Sequence, residues 1–248
     1  MTKRHFGKAL AAATTGSALI LCVPSTGAAQ RPNLVNELTA LDAKSKRPSD
    51  DRIRELIIAT ATTISATQKT CAPTAIKIES VSAITGAAMV VDAIDTGKLH
   101  NGWAVMTKHV GCTNTGPFRY VVFELPDSSY IARFVNEGRS FANLSIMRDA
   151  SKSAALVGLH VIDVKGPPCD GKDMKLGVTR VESQEPGLGP EIFGVRFTGS
   201  WTEIWPFLAC GKIAEVKLVF RADGEGGAYW DIKQDQVRLI DDKGSVVH

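Results

Sequence analysis

Three pairs of landmark residues in this chain of 248 residues share one sequence interval. The pairs, each 98 residues apart, are Trp103 and Trp201, Cys112 and Cys210, and Cys71 and Cys169. In both segments the tryptophan precedes the later cysteine by nine residues, and a stretch of alternating apolar and polar residues follows. One offset shared by several landmarks is typical of an internal duplication. We therefore predict two tandem copies of one structural unit.

Residues 1–29 have the layout of a secretory signal peptide. Three basic residues are followed by an apolar stretch that ends in small residues at 27–29, and this stretch is short for a membrane span. We expect removal of residues 1–29 to leave no integral membrane segment. The mature protein is then expected to be periplasmic or secreted, although the sequence does not distinguish these two locations.

The charge balance changes once this leader is set aside. The whole chain has 29 Lys and Arg against 26 Asp and Glu, and the leader contains three of the basic residues and no acidic ones, which leaves 26 against 26. A protein with no net charge lacks the excess of basic residues that is typical of nucleic-acid-binding surfaces. We therefore expect no nucleic-acid partner.

The four cysteines beyond the leader are expected to form disulfides, because an exported chain folds in an oxidising compartment. Four cysteines allow three pairings, and all three are compatible with a duplication. Proximity favours Cys71–Cys112 and Cys169–Cys210, each with a separation of 41 residues. No CxxC motif suggests zinc, and we predict no metal or cofactor.

The periodicity of each copy predicts an α+β unit, a helix packed on a three- to four-stranded antiparallel sheet with one disulfide. After a polar lead-in at 30–48, the first repeat spans 49–140 and the second 141–248. The pattern places helices at 51–66 and 149–160 and a hairpin in each copy, with 87–94 either helix or strand. Residues 118, 120 and 122, and their counterparts 216, 218 and 220, are expected to face the core, with Arg119 pointing outward.

No catalytic residue is predicted, because motifs such as GxSxG, HExxH or a P-loop do not occur in the sequence. His109 lies near Cys112, which would suit a thiol–imidazole pair. A disulfide sulfur is not a nucleophile, so His109 is expected to be structural or solvated.

Trp201, Glu203 and Trp205 alternate along one predicted strand and therefore lie on one face of it. Trp201 has a counterpart in Trp103 and is expected to pack in the core, whereas Glu203 and Trp205 occur only in the second copy. We predict a ligand surface at Glu203 and Trp205, suited to a sugar ring or a peptide. Pro206 cannot donate to a sheet ladder, which predicts that this strand lies at an edge or is bulged.

The segment from Trp201 to Gly227 resembles exported proteins of Gram-negative bacteria that have no known activity. The shared pattern is a Trp-x-Glu-x-Trp strand, the turn Cys210-Gly211, a second strand and a Gly-Gly turn. This resemblance implies a periplasmic or secreted setting. It implies no activity.

The leading functional hypothesis is a non-enzymatic exported protein that binds a ligand or interacts with the envelope, where its partner could be another envelope protein or a glycan. One alternative is a hydrolase with its site between the two repeats. Another is a secreted inhibitor or effector that inserts the loop 182–190 into a partner. The most informative observation would be whether the surface between the two repeats is a polar cleft or a flat seam.

Overall fold

The structure is a computed structural model that describes residues 32–165, 168–240 and 246–247. The predicted signal peptide at 1–29 lies outside the described residues. The helices are α1 (Pro32–Asp42), α2 (Asp50–Gln68), α3 (Ala88–Asp95) and α4 (Leu144–Val164), with a 3-10 turn at Gln234–Gln236. In the described part of the chain, no helix is both long and apolar enough to cross a membrane.

The strands form two antiparallel sheets. The first sheet contains β1 (Ala75–Ala83), β2 (Asn101–Val110), β3 (Phe118–Glu124) and β4 (Tyr130–Glu137), in that spatial order. The second sheet contains β5 (Lys175–Leu176), β6 (Arg180–Gln184), β7 (Ser200–Ala209), β8 (Lys212–Ala222), β9 (Ala228–Ile232), β10 (Arg238–Ile240) and β11 (Val246–Val247). Its spatial order is β11-β10-β8-β7-β5, with β6 also paired to β7 and β9 also paired to β8.

The predicted class of helices on antiparallel sheets is confirmed, but the second sheet is larger than expected. Its seven strands exceed the predicted three or four, because the long strands β7 and β8 each accept two short partners along their outer sides. The ambiguous segment 87–94 is the helix α3. Helix α4 begins at Leu144, earlier than predicted, because the Asn143 side chain accepts from the amides of Ser145 and Ile146 at 3.0 Å each.

One face of each sheet is covered by a long helix. Helix α2 packs Ile53 and Ile57 against Val105 and Tyr120 of the first sheet, and helix α4 packs Ala150 and Ile162 against the second sheet. The residues at 118, 120, 122, 216, 218 and 220 are all buried, as predicted. The two-residue period of a strand therefore identified the core face of both hairpins correctly.

The two predicted disulfides are confirmed. Cys71 follows α2 and bonds to Cys112 in the β2–β3 turn, with the Cα atoms 5.9 Å apart. Cys169 follows α4 and bonds to Cys210 in the β7–β8 turn, with the Cα atoms 6.0 Å apart. Each bridge ties the end of the covering helix to the tip of a hairpin, and a closed loop of this length contributes about 3–4 kcal/mol by the chain-entropy model.

Strand β7 is a central strand that pairs with β8 in an unbroken register through Pro206, so the prediction of an edge or bulged strand there is wrong. It pairs with β8 along its whole length and with β6 and β5 on its other side. Pro206 lies where the outer partner changes from β6, which ends its pairing at Ile204, to β5, which begins at Phe207. A residue without an N–H is tolerated at such a gap.

Candidate functional site

The Glu203 and Trp205 side chains are fully buried, so the predicted ligand surface at these residues is wrong. Each has a relative exposure of 0%. The alternation along β7 does place them on one face with Trp201, but that face is packed under α4, in the core of the second sheet. Trp201 and Trp205 both lie against Phe220 of β8, with ring centroids 5.2 and 5.8 Å away. These aromatic residues therefore belong to the hydrophobic core of the second sheet.

The Glu203 carboxylate is the centre of a buried hydrogen-bond cluster. Its Oε1 accepts from Trp201 Nε1 at 2.8 Å, and its Oε2 accepts from Trp205 Nε1 at 2.7 Å. Oε1 also accepts from the backbone amides of Phe141 and Ala142 at 2.7 and 3.2 Å. Four N–H donors satisfy a carboxylate that has no access to water, which is the condition for burying such a group.

Phe141 and Ala142 belong to the junction loop, residues 138–143, which joins the last strand of the first sheet to α4. Arg119 of β3 contacts the same loop, because its Nη1 donates to the carbonyl of Ala142 at 2.9 Å and to that of Ser140 at 3.4 Å. Its Nε donates to Asn136 Oδ1 at 2.8 Å, and its Nη2 contacts Met147 Sδ. Arg119 leaves the α2 side of its sheet as predicted, but it packs against the junction loop and α4 instead of pointing into solvent.

The junction loop is therefore held between a half-buried cation and a buried carboxylate. No acidic side chain among the described residues forms a direct ion pair with Arg119. Burial lowers the pKa of Arg119, and the charges of Glu203 and Glu191 partly oppose that effect. The peptide groups of the loop lie between the two charges, with their carbonyls on the Arg119 side and their amides on the Glu203 side.

A cleft of about 440 Å³ opens beside this loop, between the outer face of the first sheet and the loops of the second half of the chain. We call it the interface cleft. The first sheet contributes Glu79, Ser80, Ser82, Ala104, Met106 and Arg119. The other lining residues are Arg139, Ser140, Phe141, Glu191 and Arg196. This is a polar cleft, not a flat seam, and its size is in the range of small-molecule sites.

Arg196, a second arginine of the cleft, is held by neighbouring groups of the lining and of the adjacent loop. Its guanidinium carbon lies 4.6 Å from the centre of the Phe141 ring, which is a cation–π distance. Its Nη1 donates to the carbonyl of Gly189, and its Nη2 lies 3.9 Å from Glu191 Oε2. Its Nε is buried and has no hydrogen-bond partner among the described residues.

The loop 182–190, proposed above for insertion into a partner, lies next to the cleft residue Arg196. Residues 182–184 are part of β6, and the turn that follows is closed by backbone bonds from Leu188 to Glu185 and from Gly189 to Thr198. Gly189 in turn accepts from Arg196. The segment is thus tied to the fold at several points.

A second concavity, of about 380 Å³, lies beside the Cys71–Cys112 disulfide. His109 lines it, stacked on Phe118 with centroids 3.8 Å apart and with Nε2 3.0 Å from the Tyr120 hydroxyl. Burial lowers the pKa of His109 and raises that of Tyr120. Because Cys112 is oxidised, His109 has a structural contact here and no thiol partner, as predicted.

No group of three or more metal-ligating side chains occurs among the residues that the structure describes. The chain matches no family model, no curated protein and no solved structure.

The cleft arginines at 119, 139 and 196 were not identified from the sequence, because they lie in no motif and come from three separate segments. The only available sign was the polar position of Arg119 in an alternating strand.

Proposed function

We propose that this protein is an exported, non-enzymatic binding protein whose ligand occupies the interface cleft. The observation that carries the proposal is the fixation of the junction loop by Arg119 and Glu203, which bond to its carbonyls and its amides. A cleft with a fixed wall needs little ordering when a ligand binds, and this lowers the entropic cost of binding. Its mixed lining of serines, charges and Phe141 suits a small polar ligand.

The setting we propose is the periplasm or the extracellular medium. The leader-like sequence at 1–29, the resemblance of the Trp-x-Glu-x-Trp segment to exported proteins, and the two disulfides all support it. The ligand would then come from the envelope, either a glycan fragment or a group on another envelope protein.

We also propose that the two halves arose by duplication, with repeats at 49–140 and 141–248. In support, each half has a long helix followed by a disulfide cysteine, and each disulfide closes on a hairpin turn over 41 residues. Trp103 and Trp201 occupy the strand before that turn and are both buried. The Glu203 cluster has no counterpart in the first half, where Val105 takes the place of the glutamate and Thr107 that of the second tryptophan.

A hydrolase in the same cleft remains the alternative, with less support. A serine nucleophile needs an available base within hydrogen-bond distance, and the acidic groups of the cleft already have cationic neighbours. Glu79 pairs with Lys108 at 2.9 Å, and Glu191 lies beside Arg196. An inhibitor that inserts the loop 182–190 is also less favoured, because that loop is tied to its own fold.

The proposal is tested by a fragment screen on the mature protein, observed by NMR. Ser82 is an exposed cleft residue, and Ser183 is an exposed strand residue outside it, so S82W would fill the cleft and S183W is its matched control. We expect fragments that bind the wild-type protein and S183W but not S82W. Binding that is insensitive to S82W, or the absence of any binder at the cleft, would contradict the proposal.

A further inference from the structure

Two arginines of the interface cleft have hydrogen-bonding capacity that the protein itself leaves unused. The side chain of Arg196 is only 15% exposed, and its buried Nε has no hydrogen-bond partner in the described part of the chain. A buried donor without an acceptor is costly, and its presence in a folded protein calls for an explanation. The positive charge of this guanidinium lies in the lining of the cleft.

Arg139 is the second of these residues. Its side chain is exposed, and no acidic residue of the described chain forms an ion pair with it. Its backbone amide donates to the carbonyl of Thr179 at 2.9 Å. The position of Arg139 at the mouth of the cleft is therefore anchored while its guanidinium stays available.

The charge of the cleft lining indicates the charge of the ligand. Three arginines and two glutamates line the cleft, which gives a net charge of +1. Lys108, outside the lining, pairs with Glu79, so the cleft is at least singly positive. A single negative charge on the ligand balances the lining, and a planar carboxylate matches the geometry of a guanidinium fork.

We propose that the interface cleft recognises a small monoanionic carboxylate, which the guanidinium of Arg139 would bind, with Arg196 adding positive charge to the wall. The remainder of the ligand would lie along Phe141, Ala104 and Met106, the less polar part of the lining. This inference rests on the proposed function and specifies the class of ligand. It predicts discrimination between an acid and the neutral amide of the same shape.

Phenylacetate, phenylacetamide and inorganic phosphate are suitable probes, titrated against the isotope-labelled mature protein. We expect shifts of the cleft amides with phenylacetate, and an affinity about tenfold lower for phenylacetamide, as for the loss of one charged hydrogen-bonded pair. Phosphate is expected to bind more weakly than phenylacetate, since it offers no apolar group. Equal binding of acid and amide would overturn the inference, and so would stronger binding of phosphate.

The matched variants are R139Q and R133Q. Arg133 is an exposed arginine of β4 outside the cleft lining, so R133Q removes the same charge without touching the site. R139Q should weaken phenylacetate binding by about fivefold to tenfold, and R133Q should leave it unchanged. An equal effect of the two variants would contradict the inference.

The screen for the proposed function separates the two possible failures. If neutral fragments occupy the cleft in an S82W-sensitive manner while carboxylates do not, the carboxylate inference fails and the binding function stands. If no fragment occupies the cleft, both fail.

Discussion

Glu203 and Trp205 are joined inside the protein by a hydrogen bond of 2.7 Å from the indole Nε1 to the carboxylate. The same carboxylate binds the indole of Trp201 two residues before it on the strand. The Trp-x-Glu-x-Trp pattern is therefore a self-contained arrangement in which two indole donors flank one acceptor. The two further donors, from Phe141 and Ala142, connect this arrangement to the wall of the interface cleft.

Replacement of Glu203 by glutamine should lower the free energy of unfolding by about 2–4 kcal/mol, because an amide group would face N–H donors in a site closed to water. Chemical denaturation followed by fluorescence measures this loss. E182Q is the control, since Glu182 is exposed and pairs with Lys217 at the surface, where such pairs contribute about 0–1 kcal/mol. A loss for E203Q no larger than for E182Q would contradict the role given to the cluster.

The sequence was sufficient for features that depend on local periodicity. The alternation at 118–122 and 216–220 identified the buried side of both hairpins, and the equal cysteine separations favoured the correct disulfides. It was not sufficient for Glu203 and Trp205. A two-residue period shows that residues share a face, but whether that face is wet depends on what packs against it, and here that is α4.

The interface cleft could not be predicted for a related reason. Arg119, Arg139 and Arg196 become neighbours of one cleft only through the packing of the first sheet against the loops of the second half. Arg119 occupies an outward position in its strand, and an outward arginine is usually solvated. Nothing local to β3 indicates that a loop more than twenty residues away will cover it.

Gly138, the glycine of the junction loop, should be difficult to replace. Its φ is +89°, and a Cβ at this position would lie 2.0 Å from the carbonyl oxygen of Thr179. We expect G138A to destabilise the protein by at least about 2 kcal/mol, through strain and displacement of Thr179. Gly97 has a φ of +67° with open space around its Cβ position, so G97A should show the strain alone, about 1 kcal/mol. Thermal or chemical denaturation measures both losses. Equal losses of unfolding free energy for G138A and G97A would show that the close contact with Thr179 adds no cost.

The two disulfides should contribute similarly to stability, because both close the same sequence separation of 41 residues. The double variants C71S/C112S and C169S/C210S are each expected to lose about 3–4 kcal/mol relative to the oxidised wild type. Denaturation curves with and without reductant measure these losses. In the unreduced protein, labelling of any of these four cysteines by a thiol reagent would show that the framework is incomplete.

The stability of the protein should depend on pH through His109. Burial holds its pKa in the folded state below the usual value of 6.5, so the unfolded chain takes up a proton that the folded protein resists. Stability is then full above about pH 6.5 and falls as the pH drops from there towards the folded-state pKa. H109Q should show a smaller loss of unfolding free energy than the wild type between about pH 7.5 and about pH 5.5.

The control for this comparison is H160Q, because His160 is exposed on α4. It should retain the wild-type pH dependence. If H109Q and the wild type lose the same free energy over this interval, the buried imidazole is not the group responsible.

The central claim is that Glu203 fixes the wall of the interface cleft through the amides of Phe141 and Ala142, and amide hydrogen exchange tests it most directly. In the wild type these two amides should exchange slowly, because both donate to a buried carboxylate. In E203Q their exchange should accelerate selectively, while the amides of the β7–β8 ladder stay protected and E182Q behaves as the wild type. Fast exchange of both amides in the wild type, or no change in E203Q, would contradict the claim.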